Sequence, residues 1–230
     1  MTDAPRERVA IFSASVISPI DNPDAYVGRA LGRALVASGH DVTLFEERAN
    51  PALRALLRRA GAGGIADFRQ RYPELTYRTI DTPRSVAALV EWLTRTLATI
   101  DIAVVQRDTP AQLAAWVGRL TRGHLQTYLL DSGLGVPLIP EALAEREPAA
   151  FSGIFVGKEM LVDLYTRWTT PDRIHHFGPL PDLAAPDHAD PTDRLGPVAT
   201  ALGQRLLAVA QRDRAGRPAV PEPNHGGTDA

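Results

Sequence analysis

Two short polar loops hold the side chains of this sequence that could do chemistry together. Arg107-Asp108-Thr109 follows the apolar run Asp101–Val105, and Asp131-Ser132-Gly133 follows the run His124–Leu130. A further run, Phe151–Val156, leads into Gly157-Lys158-Glu159, and the first, Arg8–Phe12, closes on Ser13-Ala14-Ser15. Carboxylates converging in one cleft are what a general base needs to activate a sugar or alcohol hydroxyl. The competing assignment makes Asp131 and Ser132 a turn and lets Glu159 favour the start of a helix electrostatically.

Other chemistries find less support. His175 and His176 are adjacent, so on a strand they face opposite sides and cannot chelate one ion together. With no cysteine in the chain, thiolate metal sites, disulfides and a cysteine nucleophile are excluded, and no metal site is expected. His176 is assigned to the rim of the cleft, and His40, after Gly39, to a turn at the far end of the sheet. The loop after the first run, Ser13 to Ser18, lacks the G-x-G-x-x-G of a dinucleotide fold, so tightly bound NAD or FAD is not expected. Gly28 and Gly32, four apart within a helix, fit close packing on a sheet. No Gly-Lys-Ser or Gly-Lys-Thr occurs, and Gly157-Lys158-Glu159 supplies no magnesium-binding hydroxyl. Arg54, Arg58 and Arg59 form either an anion patch or a solvated helix face, the latter being the ordinary case.

The elements that must position these loops alternate. Apolar runs at Arg8–Phe12, Asp41–Phe45, Leu75–Ile80, Asp101–Val105, His124–Leu130, Phe151–Val156 and Arg173–His176 read as strands. Helical spacing marks Ala25–Ser38, Leu53–Ala60, a helix opened by Pro83 with Thr82 as cap, Pro110–Arg122, Gly157–Trp168 and Leu195–Gln211. Such alternation packs as a parallel sheet under crossover helices, with ligands outside the carboxyl ends of the strands and the first strand beside the fourth. Phe177–Asp193, rich in proline and aspartate, reads as a linker, and the polar tail from Arg212 as disordered. At 44% hydrophobic and 23% charged the composition is that of an ordinary globular protein, and a net charge of −2 offers no general attraction to nucleic acid. No stretch reaches the ~18 apolar residues of a membrane span, and no leader is visible, so a cytoplasmic location is expected.

The run Val9-Ala10-Ile11-Phe12-Ser13, with Ala37-Ser38-Gly39-His40-Asp41-Val42-Thr43-Leu44-Phe45-Glu46, resembles the N-terminal, acceptor-side half of B-fold glycosyltransferases (GT-B), in particular the CgeB-like, spore-maturation-type family. Leu129-Leu130-Asp131-Ser132, Pro140-Glu141-Ala142-Leu143 and Phe151 to Met160 extend the likeness, which spans about Arg8 to Leu183. Two departures stand out: Asp21-Asn22-Pro23-Asp24 replaces a glycine-bearing loop, and Ser132-Gly133 stands where histidine is common. The resemblance implies an α/β fold, a single Rossmann-like domain at 1–186 with a mainly parallel sheet of about six or seven strands and helices on both faces. A linker and C-terminal helix would follow at 187–212 and a disordered tail at 213–230. It further implies Asp108 or Asp131 as catalytic base, Ser13, Ser15 and Ser132 as acceptor contacts, and Glu159 orienting a sugar hydroxyl. Too little chain follows Pro186 for a donor domain. The expectation is therefore a transferase half that works with a donor-domain partner or homodimer mate on a small-molecule acceptor, the partner holding any nucleotide-sugar. The alternatives are a non-catalytic ligand-binding or scaffolding module and, more weakly, a small enzyme using the cleft for a free nucleotide.

Overall fold

A computed structural model describes residues 5–17, 23–83, 85–120, 124–134, 139–181, 183 and 190–216. Seven strands form one all-parallel sheet: β1 (Arg8–Ser13), β2 (Asp41–Glu47), β3 (Thr76–Ile80), β4 (Ile102–Gln106), β5 (Gln126–Asp131), β6 (Gly153–Val156) and β7 (Ile174–His176). Their order is β3-β2-β1-β4-β5-β6-β7. The first strand lies beside the fourth, Val9 opposite Ile102 and Phe12 opposite Val105, as the sequence pattern requires.

A parallel sheet is buried on both faces, so its strands must be nearly continuous in apolar residues. In β4 and β5 every residue is buried. Alternate side chains then feed two separate cores. Val9, Ile11, Val104 and Tyr128 meet α1 (Pro23–Ala37), α2 (Pro51–Ala60), α3 (Gly63–Arg71) and the later α9 (Gly196–Ala215). Ala10, Phe12, Val105 and Leu129 meet α4 (Val86–Leu97), α5 (Ala111–Arg119), α6 (Pro140–Ala144) and α7 (Glu159–Tyr165). The crossover after β1 thus covers one face and that after β4 the other, which makes the gap between β1 and β4 the topological switch point.

Several boundaries differ from the sequence pattern. α4 starts at Val86, not at Pro83, because Ser85 in extended conformation caps it by accepting the N–H of Ala88 at 3.2 Å; Thr82 is not the cap. α3, on the far side of Gly61, has too weak a periodicity to read, yet it buries Phe68 beneath α1. The short α8 (Pro191–Arg194) stands inside the segment read as linker. The last helix runs to Ala215, past the expected limit at 212, because Leu202, Leu206, Val209 and Ala210 hold it against Leu31 and Leu35 and Arg214 pairs with buried Glu7. It is one body with the sheet. Residues 217–230 of the expected tail, and 18–22 and 184–189 of the expected loop and linker, lie outside the described residues.

Candidate functional site

The carboxyl ends of the strands hold two polar clusters, one on each side of the switch point. On the β1–β2 side, half-buried Asp108 accepts the Ala14 N–H at 3.3 Å and lies 3.4 Å from Ser13 Oγ. Ser13 has one hydroxyl proton, and Ser15 O at 2.8 Å is the nearer acceptor, so the serine shapes its own loop before it serves Asp108. Next to them Glu46, the last residue but one of β2, has no solvent exposure. It accepts hydrogen bonds from Tyr77 OH at 2.9 Å, Ile17 N–H at 3.3 Å and Asn50 Nδ2 at 3.3 Å. Burial, with the charge of Asp108 added, outweighs these donors and pushes the Glu46 carboxyl up to about 7. Asn50 in turn caps α2 through Ala52 N–H and also donates to Ala14 O, locking the β1 loop to the end of β2.

On the β4–β5 side the carboxylates are tied to a cation. Arg107, at 7% side-chain exposure, lies 3.1 Å from Asp24 and 3.5 Å from Asp131, both buried. Burial works against the Arg107 charge, but the two carboxylates outweigh it and raise its pKa. Asp131 also accepts Tyr165 OH at 3.0 Å and the Gly133 N–H at 2.9 Å, the latter made possible by the left-handed backbone of Gly133 at φ 70. Burial is still the larger influence on Asp131 and moves its carboxyl upward. Ser132 Oγ donates to Asp24 and accepts the Leu134 N–H at 3.0 Å. Beneath, the buried Arg146 guanidinium bonds Arg107 O at 2.8 Å and Thr109 O at 3.3 Å, fixing the β4–α5 turn.

All seven residues singled out from the sequence stand at this one end of the sheet, but they are not equally accessible. Ser13, Ser15, Asp131 and Ser132 are buried and engaged within the protein, whereas Asp108 and His176 are half-buried and Glu159, the first residue of α7, is exposed. The expected open rim therefore reduces to Asp108, Glu159 and His176, because the loops after β1 and β5 fold their hydroxyls inward. His40 sits at the other end, its Nδ1 accepting Glu7 N–H at 3.1 Å. Three participants were named in the sequence without a role of their own: Glu46, Asp24 and Arg107. The acid closing the apolar run Val42–Phe45 and the aspartate directly after Pro23 at a helix start were the available signals.

Asp24 places a carboxylate in the first turn of α1, where a pyrophosphate would need bare N–H groups. Gly28 serves packing: a Cβ there would meet Gln106 Oε1 at 2.4 Å. Among the described residues no group of histidine, aspartate and glutamate is arranged to hold a metal ion, and no helix is long and apolar enough to cross a membrane. Arg54, Arg58 and Arg59 are exposed.

No family model and no curated protein matches this chain. Among solved structures it is similar to Arabidopsis thaliana UGT89C1 complexed with UDP, at 12% identity and a TM-score of 0.45 over 77% of this chain. The chain spans only 50% of that protein's length. It is also similar to the E. coli tRNA N6-threonylcarbamoyladenosine dehydratase TcdA, at 16% identity and a TM-score of 0.44, covering 90% of this chain and 88% of that one. These likenesses concern the course of the chain and nothing else.

Proposed function

We propose that this domain is the acceptor-binding half of a B-fold, CgeB-like glycosyltransferase, and that a second body, a partner chain or a homodimer mate, holds the nucleotide-sugar donor. The observation that carries the reading is Asp108: a half-buried carboxylate at the switch point, held by the Ala14 N–H and turned toward the loops after β1 and β2. Of the two aspartates expected as base, Asp108 is the better placed, since Asp131 is enclosed by Arg107, Tyr165 and Gly133. Asp108 would accept the proton of an acceptor hydroxyl as it attacks the sugar. Glu46, neutral up to about 7, favours an ionised Asp108 by not crowding it with a second negative charge. Glu159 and His176 would contact the acceptor from the rim, and Ser13, Ser15 and Ser132 would shape the floor.

The inward hydroxyls and the enclosed Asp131 favour a second reading, a ligand-binding or scaffolding module without turnover. Calorimetric titration with a panel of nucleotide-sugars, alone and with a co-purified partner, separates the two. Transfer that needs the partner and disappears in Asp108→Asn supports the first. Turnover by the purified monomer that is lost in Asp131→Ala overturns it, and ligand binding with no transfer under any pairing supports the second.

A further inference from the structure

Beside the loop that follows β1, the helices α1, α2 and α3 and the start of α8 line a pocket of about 430 Å³. That volume lies in the range of sites that take small organic molecules. Its wall contains an arginine whose surroundings are incomplete. Three guanidinium groups approach the ring of Tyr72: Arg29 at 5.3 Å, Arg33 at 5.8 Å and Arg71 at 5.9 Å. Two have acids of their own, Arg33 with Glu74 and Asp193, and Arg71 with Asp190 at 2.8 Å. Arg29 has no carboxylate within pairing distance among the described residues, although it is the most deeply buried of the three at 2% exposure.

The local bonds do not make up the deficit. Arg29 donates to Val16 O at 2.9 Å and to Thr192 Oγ1 at 3.2 Å. A guanidinium offers five N–H groups, and the bonds among the described residues engage two of its nitrogens. Asp190, on the same wall, is committed to Arg71, to Tyr72 OH and to the Thr192 N–H at 2.9 Å. The charge is instead flanked by two rings, Tyr26 at 4.7 Å and Tyr72, which compensate part of the lost hydration. Burial nevertheless pulls the Arg29 pKa down. A buried, hydrogen-bonded and ring-stacked guanidinium that pairs with no carboxylate among the described residues, and feels Asp190 only from beyond pairing distance, has the form of an anion receptor, because a planar fork recognises carboxylate or phosphate through paired N–H bonds.

We propose that this pocket binds a small organic anion, a carboxylate or phosphate carried on an aromatic or aliphatic body. Arg29 takes the anionic group, Arg59 at the exposed rim adds a second positive charge, and Leu56, Phe68 and Tyr26 line the space for the body. The pocket adjoins the Asp108 cluster through the loop after β1, where Ile17 lines the one and bonds Glu46 in the other, but its ligand does not depend on the glycosyltransferase reading.

Titration of the full chain with phenyl phosphate and with benzoate, using neutral benzyl alcohol as control, tests this. One equivalent of either anion should bind, the stronger arm telling phosphate from carboxylate as the preferred head group, and benzyl alcohol should bind far more weakly. Arg29→Lys keeps the charge but loses the planar fork and should weaken binding by about tenfold. Arg59→Gln alters an exposed side chain and should weaken binding severalfold with an unchanged melting temperature; Tyr26→Ala removes a ring packed on the core and on Arg29 and should weaken binding severalfold with a modest drop in melting temperature, and the two decide the matter if Arg29→Lys does not fold. Equal affinity for benzyl alcohol, no saturable binding of either anion at millimolar concentration, or anion binding untouched by Arg59→Gln and Tyr26→Ala would each overturn the proposal.

Discussion

The two clusters at the strand ends are built from the same kinds of residue and behave in opposite ways. On the β4–β5 side Asp24 and Asp131 share Arg107, and the cluster is closed. On the β1–β2 side Glu46 and Asp108 have hydrogen-bond donors, but among the described residues Glu46 pairs with no cation, and burial pushes its carboxyl up to about 7. Position at the carboxyl end of a strand is therefore not what makes a carboxylate available for chemistry. The partner matters: a buried acid beside an arginine is enclosed by its cation, and Glu46, without one among the described residues, keeps its proton toward neutral pH.

The comparison breaks most severely at Arg107. Arg107→Met leaves Asp24 and Asp131 buried without their cation, and the expected loss is about 3–5 kcal/mol in urea unfolding at neutral pH. Lowering the pH should recover part of this, because Asp131, whose carboxyl burial already moves upward, can then protonate. A loss no larger than that of a surface substitution would show that the cluster is less closed than its geometry.

Glu46→Gln should act in the opposite direction. The folded carboxyl keeps its proton up to about 7, whereas an unfolded glutamate releases it near 4.5. Unfolding thus releases a proton between those values, and stability contributed by this residue falls as pH rises across them. Removing the charge should stabilise the protein by up to ~3 kcal/mol above that window and by little below it, provided that the amide oxygen keeps Tyr77 and Ile17 as donors. Melting curves from acid to mildly alkaline pH would show the wild type losing ground and the variant flat. Parallel curves would mean that Glu46 is already ionised.

Gly28→Ala probes the ground under the closed cluster. The new methyl would press on Gln106, whose Nε2 donates to Asp24 O at 2.8 Å. Overpacking of this kind costs about 1–3 kcal/mol. Gly39→Ala, at φ 89 but with nothing near its Cβ, is the control for backbone strain alone.

The sequence made the frame legible because a parallel sheet demands long apolar runs, and runs such as Val9–Phe12 and Ile102–Val105 admit little else. It also put Asp108, Asp131 and Glu159 at the correct end, since strand direction alone settles that. It could not rank them. Whether Asp131 is free depends on Arg107, twenty-four positions earlier, and on Tyr165 in a later helix. Glu46 looked like the end of a strand, and only the approach of Tyr77 from β3 and of the Ile17 N–H reveals how deeply it is enclosed. α3 was missed because its one deeply buried large side chain, Phe68, leaves no apolar stripe to read.

The finest test lies in the coupling between the two acids on the open side. Asp108→Asn keeps an oxygen for the Ala14 N–H, and the residue is only half-buried, so stability should change by no more than about 0.5 kcal/mol. What does change is the field at Glu46. Burial is the main reason for the raised Glu46 carboxyl, and the Asp108 charge is a smaller addition to it. Neutralising Asp108 should accordingly lower the Glu46 midpoint by a fraction of a pH unit, read from the carboxyl carbon shift in an NMR titration, while Asp131 on the far side of the switch point stays where it was. A downward step at Glu46 alone would establish that the Asp108 charge acts on Glu46 and not across the switch point, so that the open cluster has a field of its own. An equal step at Asp131, or none at Glu46, would mean that the two clusters are not electrostatically distinct, and Asp108 would lose its claim to be the better base.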